Sequence, residues 1–284
     1  PSRAVEDVLE KPRRFRESTP NVPQNLSRRY TGYSLVKIKD LKASPPNICL
    51  YGEFGTGKTA FGLTCPGLRI LSFEGDNLRV GATLEDKLTS VREEADIEEF
   101  SDQDPTKPIG FEKFKARLGE IAKEVEAGSY KNKSLGLDSM TALLDSATRA
   151  ILRRSGKSPI NGNLSQPEWG VLFKELKSIV MQFKVLPIPT FMILHESVIT
   201  VNDMTVRKMA LPGKAFPAEI PRLFSEIWYC TVKKIGDKKQ FVIQPQSTDV
   251  SLSRSNSNLP AELDMNLGMG EVLRKAGYVY PDPS

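Results

Sequence analysis

Residues 51–60 read YGEFGTGKTA and follow the apolar run NICL at 47–50. The spacing Gly52-x-x-x-x-Gly57-Lys58-Thr59, with an extra Gly55, is that of a loop that curls backbone N–H groups around a phosphate. Glycine accepts positive φ and keeps side chains off the ligand, and a helix after the loop offers further N–H groups. The lysine reaches the β and γ phosphates and the threonine hydroxyl suits Mg²⁺. Glycine-rich turns also merely join strands to helices, so the flanks must decide. NICLY reads as a short buried strand, and KTAFGLT opens a helix that Cys65-Pro66 ends. The expected nucleotide contacts are Gly52, Glu53, Phe54, Gly55, Thr56, Gly57, Lys58, Thr59 and Ala60, with Lys58 a solvent-facing charge that awaits phosphate.

Outward from this loop the chain alternates strand and helix. RILSFE (69–74), SLGLD (134–138) and TFMILHE (190–196) read as further buried strands. FEKFKARLGEIAKEV places Phe111, Phe114, Leu118, Ile121 and Val125 on one helical stripe; SMTALLDSATRAILRR and PEWGVLFKELKSIVMQF are helical by the same period. SVITVNDMTVRKMALPGK (197–214) is a long polar and basic loop or hairpin, and EIWYCTVKKIGDKKQFVIQ is a strand pair around Gly236-Asp237. A short strand is expected at YSLVKIK and a short helix at GMGEVLRKAGY. This alternation predicts an α/β fold, a mainly parallel sheet with helices on both faces. Residues 1–30 read as a basic N-terminal arm, 31–246 as the core and 247–284 as a C-terminal extension.

Composition narrows the class. The 284 residues are 39% hydrophobic, enough for a real core in one large or two small domains. No apolar run reaches membrane-spanning length and PSRAVEDVLEKPRRF lacks a secretory apolar stretch, so cytoplasm is the expected location. The 3 cysteines stand apart in apolar stretches and read as buried hydrophobes of a reducing compartment; the 1 histidine argues against a protein zinc site. The net charge of +5 is a modest excess, so its distribution matters more. LEDKLTSVREEADIEEFSDQD (84–104) is acidic, whereas KPRRFR, SRRY, LRRSGK, VRK and VKKIGDKK are basic, each readable as a solvated face or turn.

In open α/β sheets the ligand sits at the C-terminal tips of the strands, so polar residues there are the next candidates. Asp138 ends SLGLD and is the expected second Mg²⁺ anchor with Thr59, supported by Ser139; a helix N-cap is its plainer reading. Glu74 ends its strand where a carboxylate could orient and deprotonate the attacking water, with Asp76 the competitor. His195-Glu196 is a polar pair at a strand tip that could report nucleotide state to the loop beyond it, or simply a hydrogen-bonded histidine.

The succession GEFGTGKT, ILSFEGD, LGLDSMTALLD and FMILHE with a basic loop resembles the RecA-like P-loop ATPases, particularly the phage-encoded recombinase type associated with single-strand annealing. The resemblance covers roughly residues 45–245. It implies that Glu74 is the catalytic glutamate, Asp138 the Walker B carboxylate and His195-Glu196 the polar switch. It implies ATP and Mg²⁺ as cofactors and single-stranded DNA as partner. A homo-oligomer or filament would hold ATP at subunit interfaces, with a single-strand DNA-binding protein as a further partner. The DNA-facing loops would fall at about 153–166 and 197–214, which hold Arg153, Arg154, Lys157, Arg207, Lys208 and Lys214. A basic residue from a neighbouring subunit often completes such sites; Arg254 is the candidate, with Lys233, Lys234, Lys238 and Lys239 as alternatives. The bacterial recombinase carries an amide pair where this chain has His195-Glu196. Two rivals remain: a small-molecule phosphotransferase with LRRSGK as a lid, and an ATP-switched oligomeric binding module with little turnover.

Overall fold

The computed structural model describes residues 44–75, 95–201 and 204–278. The expected arm at 1–30, the strand at 33–39, Asp76 and the first part of the acidic run lie outside the described residues.

The apolar run before the loop forms β1 (Asn47–Gly52), buried at every position. Its side chains alternate between two apolar layers, Ile48 and Leu50 in one, Cys49 and Tyr51 in the other. That is the pattern of a central strand covered on both faces. β1 pairs in parallel with β5 (Thr190–Val201) on one side and β7 (Glu226–Ile235) on the other. Beyond β5 come β4 (Ser134–Asp138), β2 (Leu68–Ser72) and β3 (Asp96–Glu99), all parallel. Beyond β7 come the antiparallel β8 (Lys238–Gln244) and β9 (Leu263–Asp264). The order is β3-β2-β4-β5-β1-β7-β8-β9, and β6 (Met204–Met209) forms an antiparallel hairpin with the outer half of β5.

Among the described residues four helices cover one face: α2 (Gly110–Glu126), α3 (Met140–Arg154), α4 (Gln166–Val185) and the short α5 (Ala215–Glu219). The other face carries α1 (Lys58–Leu63) and α6 (Met269–Lys275), whose Phe61, Leu63, Met269, Val272 and Leu273 close its layer. The mainly parallel α/β sheet with helices on both faces is therefore the architecture. Ser139 caps α3 through Ala142 N (3.2 Å), and Pro167 stands in the first turn of α4 as the sequence predicted. Among the described residues no helix is long and apolar enough to cross a membrane.

One element departs from expectation. The acidic run read as solvated face and turn, yet Asp96–Glu99 is an edge strand. Ile97 packs against the layer beneath α1, while Arg69 lies 3.5 Å from Asp96 and 3.4 Å from Glu98, and Arg117 lies 2.9 Å from Glu98. Strand pairing and tertiary charge neutralisation outweigh a local composition poor in β-formers. Among the described residues β3 is the last strand on that side, and its carboxylates disfavour further pairing there.

Candidate functional site

The loop between β1 and α1 is shaped by backbone, not by side chains. Gly55 and Gly57 hold φ of 77° and 78°, the left-handed region that makes consecutive N–H groups converge on an anion. Gly52 is dictated by packing: a Cβ there would lie 2.2 Å from the Cys230 carbonyl oxygen of β7. α1 has 6 residues, so the curled loop rather than a long helix supplies the N–H cradle. Lys58 corrects the expectation of a solvent-facing charge. Its residue is 6% exposed, and Nζ donates to the carbonyls of Gly52 (3.0 Å) and Glu53 (2.7 Å). Burial lowers its pKa from the ordinary lysine value. The ammonium is held in place by carbonyls that phosphate oxygens, being fully charged, would outcompete.

Three strand tips face this loop. Thr59 Oγ1 donates to Asp138 Oδ2 at 2.7 Å, which joins the loop's hydroxyl to the end of β4. Asp138 is not the helix cap; that role falls to Ser139, and the peptide between them is cis. Ser139 Oγ also donates to Glu74 Oε1, and His195 Nε2 lies 3.3 Å from the same oxygen. Glu74, beyond the end of β2, is thus oriented by residues from β4 and β5. Ser139 was expected to support Asp138; that it holds Glu74 depends on β2 and β4 lying side by side, with Ser72 level with Asp138. Thr141, whose Oγ1 accepts from His195 N (3.2 Å), carried no sequence signal at all.

The loop from Phe54 to Ala60 lines one cavity of about 320 Å³ together with Glu74, Asp138, Ile193, His195 and Phe241. Hard oxygen donors from Thr59 and Asp138, a buried ammonium and an N–H cradle are the donor set that a Mg²⁺-bound triphosphate needs. A family model described as an AAA domain matches residues 44–256. The chain belongs to that family. As an AAA domain it is a nucleotide-binding ATPase of the P-loop type, and the matched span contains every lining residue of the cavity. No curated protein matches the chain.

The remaining candidates of this AAA domain are dispersed. His195 lines the cavity, but Glu196, the next residue on the strand, faces away and pairs with Arg207 Nη1 at 2.7 Å. The polar pair is therefore split between the two faces of the sheet. Arg207 is further held by its backbone, which donates to Val250 O (2.8 Å) and accepts from Leu252 N (3.3 Å). Lys208 stands opposite Ser197 in the hairpin, and Lys214 is exposed before α5. Lys157 is engaged by Glu168 at 2.5 Å. Arg153 and Arg154, exposed at the end of α3, lie against the start of α2, at Pro108 O (3.5 Å) and Glu112 (3.6 Å). That start follows the C-terminal end of β3, at the same end of the sheet as the nucleotide loop. Arg254 is exposed, its backbone bridged to Ile227 near the beginning of β7, and it is not among the cavity's lining. Of the alternative lysines, Lys233 pairs with Glu262.

Proposed function

We propose that this AAA domain hydrolyses ATP with Mg²⁺ and couples that turnover to assembly on single-stranded DNA, in support of recombination or strand annealing. The observation that carries the reading is the convergence of Lys58, Thr59, Asp138 and Glu74 from three separate strand ends on one cavity. Lys58 exchanges the Gly52 and Glu53 carbonyls for phosphate oxygens. Thr59 and Asp138 are the residues that would hold Mg²⁺, and the ion, when bound, offsets phosphate charge. Glu74 is held at Oε1 by Ser139 and His195, which leaves Oε2 to accept a hydrogen bond from water and to take its proton as the water attacks in line.

For DNA the support is placement. The β5–β6 hairpin grows directly from His195, and Arg153 and Arg154 line a groove of about 400 Å³ at the same end of the sheet. Nucleotide state would pass from Glu74 through His195 to the hairpin, and assembly as a homo-oligomer would bring a basic residue such as Arg254 to a neighbour's site. The test is phosphate release from ATP with Mg²⁺, with and without single-stranded DNA. Stimulation by DNA supports the reading. Hydrolysis that ignores DNA would remove the coupling and leave the phosphotransferase reading standing; tight ATP binding with no turnover would leave a switch.

A further inference from the structure

The cavity has a second end that the hydrolytic reading does not use. Glu74, Asp138 and His195 stand at the tips of β2, β4 and β5, all to one side of β1. Phe241 stands on β8, two strands to the other side, and among the described residues is the lining residue contributed from that side. It lies opposite Val232, beyond the level at which Cys230 meets Gly52, so its ring rises beside the loop. The contact is close: a Cβ on Gly57 would lie 3.2 Å from Phe241 Cδ1 and 3.6 Å from Met265 Sδ. The ring is half-buried, backed by the apolar layer beneath α1 and α6 and open to the cavity.

A triphosphate whose terminal phosphate lies at the β2–β5 side must send its sugar and base the other way, past Gly57 and toward β8. The geometry points to Phe241 as the platform on which the nucleobase stacks, with Met265 beside it. This rests on the nucleotide reading of the same site and adds its specificity. Among the described residues no polar side chain lines the cavity from β7, β8 or β9. A base there is held by its face and not read at its edge, and every base has a π face. The site therefore takes nucleoside triphosphates with little choice of base, ATP and GTP alike.

The experiment measures affinity of the full chain, with Mg²⁺, for ATP, GTP and inorganic tripolyphosphate, in the parent and in Phe241→Ala, Phe241→Leu and Phe241→Trp. Stacking predicts ATP and GTP affinities within a few-fold of each other in the parent. Phe241→Ala should lose about tenfold or more for both nucleotides, with tripolyphosphate unchanged. Leu, which keeps the apolar packing on Gly57 without an aromatic face, should lose nearly as much, and Trp should restore binding. An equal loss for tripolyphosphate would overturn the proposal, since the ring would then merely prop the loop. Unchanged ATP affinity in the alanine variant, full binding by the leucine variant, or strong preference for one base in the parent would each overturn it too, while leaving the nucleotide site standing. A parent that binds no ATP would remove that site, and this platform with it.

Discussion

Lys58 shows how a residue can be both buried and poised. Its ammonium is desolvated, which costs free energy, and it donates to two loop carbonyls, which offsets that cost. Lys58→Ala should therefore change fold stability by no more than about 1 kcal/mol while ATP binding falls below detection. Calorimetric titration beside a thermal melt checks both, and an alanine variant with normal ATP affinity would remove the lysine from the site. Glu74 has the opposite character: half-exposed, oriented by Ser139 and His195, and placed to act on water. Glutamine there keeps the size and one accepting oxygen but cannot take a proton, so binding should persist while hydrolysis drops roughly a hundredfold. If assembly on DNA needs the ATP state, complexes of Glu74→Gln in ATP should outlive those of the parent. Normal phosphate release by the variant would exclude Glu74 as the base, and slow release with an unchanged complex lifetime would break the link to DNA.

At the scale of the element, the β5–β6 hairpin separates two basic residues that sit side by side in the sequence. Successive side chains on a strand point to opposite faces. Arg207 is paired with the nearly buried Glu196, and Lys208 lies on the other face of the strand. Their reversal should give different outcomes. Arg207→Glu sets a second carboxylate against Glu196 and should destabilise the fold by about 2 kcal/mol. Lys208→Glu should leave the melting temperature unchanged, weaken binding to any single-stranded DNA sequence and flatten the log-log salt dependence by about one unit. Denaturant unfolding and a salt titration of DNA affinity distinguish the two; an unchanged salt slope for Lys208→Glu would mean that this lysine meets no phosphate.

On the scale of the whole molecule, both sheet faces are covered, and acidic groups caught between the layers make the fold sensitive to alkali. Burial raises the Cys49 thiol and the Tyr51 phenol, and pushes Cys230 up to about 12. These groups stabilise the folded chain fully below their unfolded values, near 9 for a thiol, and that stability is lost as pH climbs toward the folded values. At pH 10.5 Cys230 alone should cost about 2 kcal/mol relative to pH 7; Lys58, lowered by burial, opposes this in part. The denaturant midpoint should fall between those pH values, with the cysteines unreactive to thiol reagents at neutral pH until the chain unfolds. A midpoint that does not move would contradict such burial. How far the sequence determines this protein follows from the range of each interaction. The nucleotide loop, the buried strands, the amphipathic helices and the acid at the end of SLGLD are encoded within a few residues, because glycine conformation and apolar period act locally, and each was legible there. The edge strand Asp96–Glu99, the burial of Lys58, the Ser139 and His195 bonds to Glu74, the parting of His195 from Glu196 and the arrival of Phe241 over Gly57 were decided by tertiary structure. Each joins residues from separate strands, and which strands become neighbours is set by burying two apolar layers at once, a condition that no single segment contains.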